Sequence, residues 1–330
     1  MTPLRVGLIG ARRARQGLGP FLARDLRAAG AEVPCFQVTT ETSVAEAERQ
    51  LREIAGVEAR GYTDLSALLA GETLDALVIS SPHESHADAL AAAAEADLHV
   101  LCEKPLVWGE GDLAVRAAAC VAAFEKRGLE LWENCQWPYT LAAFERLHPG
   151  STGAPPQHFS MKLRPAGTGA KMLADSLPHP LSLLQRLAPG PEPRIDEVAF
   201  STTAPDAAHI RVHFRYCSGA SETACEVELR PTQAHPREVA LTIDGRQAVR
   251  RTTRPEYRLS YEDGERSVPL DDPMSLLVTD FVTAVTRAGS EAAPVDKSAA
   301  HVRHRLIVER MALLGQARTA WERALARTHS

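Results

Sequence analysis

Short, wholly apolar runs alternate with helical periodicity over the first 134 residues. Residues 4–10 (LRVGLIG) are apolar almost without interruption and end in Gly10, as a strand buried on both faces of a parallel sheet requires. Residues 31–38, 74–80 (LDALVIS), 98–102 and 129–134 (LELWEN) read as further strands. Helices are expected between them. One covers about 20–30, with Pro20 in its first turn. A second opens at Ser43 as N-cap, with Glu46 completing a capping box, and runs to about residue 55. A third covers 62–69, capped at Thr63 or Asp64, an Ala-rich helix ends near Asp97, and another spans about 112–126. Strand and helix in regular alternation imply a doubly wound parallel α/β sheet.

From about residue 155 the period changes to two. HFSMKLRP, EVAFSTT, HIRVHFRY, ETACEVELR, EVALTIDG, QAVRRTT and YRLSYED alternate apolar and polar positions, with turn signals at Asp244-Gly245 and Asp263-Gly264. This pattern predicts a large, mostly antiparallel, open-faced sheet in an α+β arrangement. A helix over 173–187 interrupts it, and helices over 273–288 and 297–325 close the chain. With 330 residues the chain exceeds one ordinary core. The expected domains are 1–134 and 135–330, the C-terminal helix being able to pack back on the first.

Composition narrows the function classes. The net charge is −5, and no segment concentrates Lys and Arg as a nucleic-acid groove would. No apolar run reaches the roughly 20 residues of a membrane span. MTPLRVGLIG enters a strand directly and lacks a signal-peptide layout. The six cysteines (Cys35, Cys102, Cys120, Cys135, Cys217 and Cys225) form no CxxC pair and have no histidines at metal spacing. A cytoplasmic, metal-free protein with reduced thiols is expected.

Four stretches carry candidate chemistry. In LHVLCEKPLVW, a strand runs into Glu103-Lys104-Pro105 at the carboxyl end of the sheet, where ligands of such folds bind. An ammonium there offers three donors to a substrate oxygen; a solvated turn lysine is the plainer alternative. In GARRARQGLG, Gly10 matches the first position of GxGxxG, but Arg12 and Arg15 replace the second and third glycines. Gly17 and Gly19 can restore a longer phosphate loop before the helix. Where an NAD-selective fold carries an acid, this chain has Thr39 and Thr40, with Glu41 as a displaced substitute. Hydroxyls near Arg12 and Arg13 suit a 2′-phosphate, so NADP(H) is favoured over NAD(H). SSPHESH places Ser81, Pro82 and His86 at another strand end. In KMLADSLPHPLSLL, Asp175 and His179 stand four apart, on one helical face. A carboxylate one turn from an imidazole can orient it for acid–base work. A surface ion pair is the alternative.

Together these features resemble the Gfo/Idh/MocA oxidoreductases. The resemblance rests on the strand ending at Gly10, on the segment from Tyr62 to His86, and on CEKPL, ENCQWPY and ADSLPH. It implies a Rossmann-type domain binding NAD(P), followed by a sheet domain for substrate and oligomer contacts. It also implies that Lys104, Asp175 and His179 are catalytic. Gly10, Ala11, Arg12, Arg13, Gly17, Thr39, Thr40, Ser81, Pro82, His86, Glu103 and Lys104 would then face the cofactor. Gln136, Trp137 and Tyr139 would face the substrate. Three departures stand out: the glycine loop, Leu177 where relatives frequently have glycine, and Gln136 where many have arginine.

The expected activity is hydride transfer between nicotinamide and a hydroxyl or carbonyl carbon of a sugar, sugar derivative or cyclitol. A nucleotide- or ligand-sensing regulator on the same fold, or a reductase of imines or other double bonds, are the alternatives. A small polyhydroxylated substrate, with no nucleic acid and no membrane, completes the expectation for partners. An open apolar sheet face would be covered by a second copy, giving a homodimer or homotetramer.

Overall fold

The computed structural model describes residues 2–13, 17–202, 204–234, 236–254, 256–288 and 297–328. In chain order the first sheet region comprises β1 (Val6–Ile9), α1 (Gly19–Ala28), β2 (Cys35–Gln37), α2 (Glu41–Ala55), β3 (Arg60–Tyr62), α3 (Leu65–Gly71), β4 (Ala76–Ile79), α4 (His86–Glu95), β5 (His99–Cys102), α5 (Leu113–Arg127) and β6 (Leu131–Glu133). All six strands are parallel, in the order β3-β2-β1-β4-β5-β6. β1 and β4 are buried at every position because helices cover both faces, which explains their unbroken apolar runs.

The rest comprises α6 (Leu141–Leu147), β7 (His158–Leu163), α7 (Ala170–Ser176), α8 (Pro178–Leu187), β8 (Arg194–Phe200), β9 (Ile210–Ser218), β10 (Ser221–Leu229), β11 (Val239–Ile243), β12 (Arg246–Thr253), β13 (Arg258–Glu262), β14 (Ser267–Leu270), α9 (Pro273–Ala288) and α10 (Lys297–Thr328). The eight strands run β14-β13-β12-β11-β7-β10-β9-β8, antiparallel except for the β7–β10 pair. The chain divides into two compact units: Met1–Gly111, Val115–Asn134 and Met274–Val308 form one, and Asp112–Ala114, Cys135–Pro273 and Glu309–Ser330 the other.

The expected α/β and α+β architecture is present, with local corrections. α2 begins two residues before Ser43: Thr40 is the N-cap, extended at φ −147°, and its hydroxyl accepts the Ser43 N–H at 3.2 Å. Glu46 is drawn instead to Arg12. Tyr62 ends a short strand, β3, and the helix after it is capped by Asp64, whose carboxylate accepts the Ala67 N–H. Three half-exposed residues carry too little alternation to announce a strand. The helix expected over 173–187 is divided at Leu177 into α7 and α8, because Pro178 has no N–H to continue the ladder. α6 and β14 were not expected from the pattern.

The exposed face of the eight-stranded sheet is charged rather than apolar. Val212, Phe214 and Tyr216 point to the covered side, while Arg211, His213 and Arg215 alternate with them outward. Arg215 meets Glu197 at 2.5 Å and Glu222 at 3.5 Å, His213 lies 3.7 Å from Glu226, and Arg251 lies 3.5 Å from Glu262. Among the described residues no helix is long and apolar enough to cross a membrane.

A buried histidine, His304, and a half-buried one, His99, make the first unit acid-sensitive. His99 accepts the Glu130 N–H through Nδ1 at 2.9 Å, and His304 accepts the Leu131 N–H through Nε2 at 3.3 Å. A ring nitrogen that accepts cannot carry a proton, and burial lowers both groups below the ordinary histidine value of 6.5. The unfolded chain therefore takes up these protons first. The stability the two rings contribute is complete above 6.5 and is lost as pH falls below it, with a slope of up to about 1.4 kcal/mol per pH unit for each ring. Urea unfolding between pH 8 and about 5.5 should show this slope, and His99→Asn with His304→Gln, which keep an acceptor but not the titration, should flatten it. An equally steep slope in the double variant would refute the assignment.

Candidate active site and cofactor-binding edge

Strand order in the first sheet reverses between β1 and β4, and ligands of open parallel sheets bind outside the strand ends at such a point. Gly10 leaves β1 with φ +84°, and a Cβ there would lie 2.5 Å from Ser81 N. Glycine is therefore required both conformationally and sterically. Gly19 opens α1 against the same turn: its added Cβ would lie 2.6 Å from Gly10 O. The close helix–strand approach of the dinucleotide fingerprint is thus supplied by Gly19, four positions after Arg15, which lies outside the described residues. Gly17 is half-buried just before the helix, and Ala11 is fully buried beneath the turn. Leu18, the N-cap of α1, provides no side-chain acceptor.

The two loop arginines are held by neighbouring helices. Arg12 Nη1 donates to Glu46 Oε2 at 2.7 Å, and the Arg13 guanidinium lies 4.7 Å over the Phe21 ring. The Arg13 N–H donates to Gln50 Oε1 at 2.7 Å. Thr39 and Thr40 are exposed at the start of α2, where the Thr40 hydroxyl also meets Ser43 Oγ at 2.7 Å.

Lys104 stands on a turn fixed from three sides. Asn134 Nδ2 donates to Glu103 Oε1, and the Leu106 N–H donates to Glu133 Oε1 at 2.9 Å. His86 lies between the third pair of contacts, 3.0 Å from Pro105 O through Nδ1 and 2.9 Å from Ser81 O through Nε2. The Lys104–Pro105 peptide is cis. Burial raises the Glu103 carboxyl above its ordinary range, against the opposing effects of Lys104 and Asn134. His86 is completely buried; burial lowers its pKa against the opposing effect of the Ser81 and Pro105 carbonyls, and a ring with one N–H donates to one of them at a time. Ser81 Oγ meets Ser85 Oγ at 2.7 Å, and Pro82 is exposed beside them. The sequence reading missed Trp108, whose ring meets His83 edge-on at 6.1 Å and whose carbonyl accepts from Arg116 at 2.9 Å.

These residues fit a dinucleotide. Gly10 keeps a cradle open that a Cβ would fill, α1 begins without a side-chain cap, and the turn after β5 presents a cation.

The second unit carries Asp175 and His179. Gly169 opens α7 at φ +58°, where an added Cβ would sit 1.9 Å from Pro205 O, so the helix start tolerates no side chain. Helical hydrogen bonds continue through the junction, Leu177 N–H to Leu173 O at 2.9 Å and Leu181 N–H to Leu177 O at 3.1 Å. The four-residue spacing of Asp175 and His179 therefore keeps its helical meaning despite Pro178 and Pro180. Both side chains are half-buried. Trp137, in a short 3₁₀ turn (Trp137–Thr140) after Gln136, meets the His179 ring edge-on at 5.9 Å. Gln136 and Tyr139 are half-buried in the same segment. Arg250 and Arg237 were missed: Arg250 stacks over Trp137 at 5.1 Å, and the Asp175 charge bears on Arg237. In RR and PRE contexts, outward arginines look the same by sequence. A separate cleft of about 680 Å³ between β8 and α10 is lined by none of Gln136, Asp175 or His179.

Residues 4–134 match the family model described as "Oxidoreductase family, NAD-binding Rossmann fold". A D-xylose 1-dehydrogenase (NADP(+)) of Haloferax volcanii is 35% identical over 122 residues, 36% of this chain and 34% of the relative. An inositol 2-dehydrogenase of Saccharopolyspora erythraea is 29% identical over 182 residues, 53% of this chain and 51% of the relative. The chain thus spans about a third to a half of the length of these curated relatives. Among solved structures, a 3-ketoreductase from Actinomadura kijaniata in complex with NADP and TDP-benzene superposes with TM-score 0.68 at 18% identity, covering 96% of this chain and 98% of that one. An inositol dehydrogenase homolog from Azotobacter vinelandii, complexed with NADH and myo-inositol, gives TM-score 0.66 at 17% identity, with coverages of 98% and 96%. The fold is shared along nearly the whole chain, and the oxidoreductase family model covers residues 4–134 of it.

Proposed function

We propose that the protein is an NAD(P)-dependent oxidoreductase acting on a hydroxyl or carbonyl carbon of a sugar, sugar derivative or cyclitol. The observation that carries this reading is the clamped Glu103-Lys104-Pro105 turn beside the Gly10 cradle, both at the carboxyl edge of a sheet ordered β3-β2-β1-β4-β5-β6. Bound nicotinamide supplies the hydride acceptor or donor. Gly10, Ala11, Gly17 and the start of α1 would hold the phosphates, and Ser81, Pro82 and the Glu103 turn would border the nicotinamide end. Lys104 would polarise the reacting oxygen and hold the negative charge that develops on it. His179 would take the hydroxyl proton on oxidation and return it on reduction. Asp175 would orient the ring and stabilise its charged form.

NADP(H) is the cofactor favoured here. The relevant strand end carries Thr39 and Thr40 instead of an acid, and Arg12 and Arg13 lie on the neighbouring turn. Arg12 would have to exchange Glu46 for a 2′-phosphate, an exchange of one exposed ion pair for a charge-assisted bidentate contact. The arginine-bearing loop is also the observation behind a second reading, a nucleotide-sensing regulator without turnover. Self-association through the exposed sheet face, and a cytoplasmic site of action, belong to the same proposal. The acids and bases that alternate on that face can complement each other across a two-fold axis.

Fluorescence titration should give tighter binding of NADPH than of NADH, and binding of neither would remove the oxidoreductase reading. With a substrate found on a sugar and cyclitol panel, Lys104→Ala should reduce turnover by about 10²- to 10⁴-fold with the fold intact. Survival of activity within a few-fold would remove Lys104 from the mechanism. Light scattering should show a dimer or tetramer that weakens as salt rises; a monomer at every concentration would contradict pairing through the charged face.

A further inference from the structure

Two arginines in the second unit carry buried guanidinium nitrogens that lack a hydrogen-bond partner. Arg250 lies on the covered side of the sheet, opposite Val239 on β11 and Tyr261 on β13, and Tyr261 is fully buried. Arg237 comes two residues before Val239. Its neighbour Glu238 is exposed and accepts from Arg251 Nη1 at 2.9 Å, whereas Arg237 is half-buried. Arg237 Nε and Nη2 and Arg250 Nε are buried and have no hydrogen-bond partner.

Both cations sit close to the acid–base pair. Arg250 stacks on Trp137, and Trp137 meets His179. The carboxylate whose charge reaches Arg237 is Asp175, while burial works against the charged guanidinium. Two guanidinium groups thus stand near one carboxylate, Asp175, and stacking on Trp137 gives Arg250 no hydrogen-bond acceptor. A neutral polyol offers hydroxyls that could accept weakly from such donors. It does not balance the charge, whereas a carboxylate or phosphate does so bidentately.

We infer that the substrate handled at His179 carries an anionic oxygen group, a carboxylate or a phosphate, which Arg237 binds, with Arg250 as the supporting cation. The inference deepens the oxidoreductase reading and rests on it for the identity of the site. Arg237 is a specificity residue in this account and takes no part in proton or hydride transfer. Its loss should therefore move KM for anionic substrates and leave neutral ones alone.

The test uses the full chain with its preferred nicotinamide and four probes: D-glucuronate, glucose 6-phosphate, D-glucose and myo-inositol. At least one anionic probe should exceed both neutral ones in kcat/KM by tenfold or more, and the comparison of the two anions tells carboxylate from phosphate. Arg237→Met should cost the anionic probe about ten- to a hundredfold, chiefly in KM, while neutral probes change less than threefold. Arg237→Lys should recover part of the loss, and melting curves should match wild type. Equal use of neutral and anionic probes by wild type, or equal loss on both classes in Arg237→Met, would overturn the inference. Calorimetry with the same probes reads binding apart from turnover. A preference for anions there without nicotinamide consumption would support the anion site and sink the oxidoreductase reading. Nicotinamide turnover on neutral probes with no anion preference would do the reverse.

Discussion

The structure of the first unit depends on one constraint: the turn after β5 cannot move. Its residues are tied to the end of β6 through Asn134 and Glu133, and to the turn after β4 through His86. Each tie uses a buried polar group, and breaking any one would leave a donor or acceptor unsatisfied in the interior. A lysine on a free turn would spread its ammonium over many positions. On this turn the backbone origin of the side chain is fixed, which is the preorganisation that electrostatic catalysis needs. The cost falls on Glu103, whose carboxyl is raised by the same burial that holds the turn.

The second unit meets a similar requirement by other means. Asp175 and His179 sit where one helix gives way to another, with backbone bonds running through Leu177 so that they stay one turn apart. The tight start of α7 at Gly169 fixes where that pair begins. Around it the covered face of the sheet is not uniformly apolar. Arg250 interrupts it over Trp137, and buried guanidinium nitrogens of Arg237 and Arg250 that lack an acceptor are costly unless a ligand uses them.

Much of this was legible in the sequence. The apolar runs fixed the parallel strands because both faces of that sheet are covered, and period-two alternation revealed the second sheet because one face is wet. CEKP and ADSLPH stood out because a charged turn after a buried strand and an Asp/His pair between prolines are unusual. What escaped lies in tertiary partners. Thr40 and Ser43 are equally good caps by type, and only the extended backbone at Thr40 decides between them. Arg250 and Arg251 are adjacent and identical, yet one faces Trp137 and the other Glu238, a difference set by register. The longer loop offered both Gly17 and Gly19, and it is Gly19 that supplies the close helix–strand approach, a choice that only packing decides.

The central proposal is that Lys104 and His179 serve the same chemical step. A double-mutant cycle measures this directly: kcat/KM for wild type, Lys104→Met, His179→Asn and the double variant, with cofactor binding checked in each. Groups acting on one transition state are non-additive. The account predicts a double variant no more than a few-fold slower than the slower single one. Losses that multiply in full would show two independent roles and contradict it.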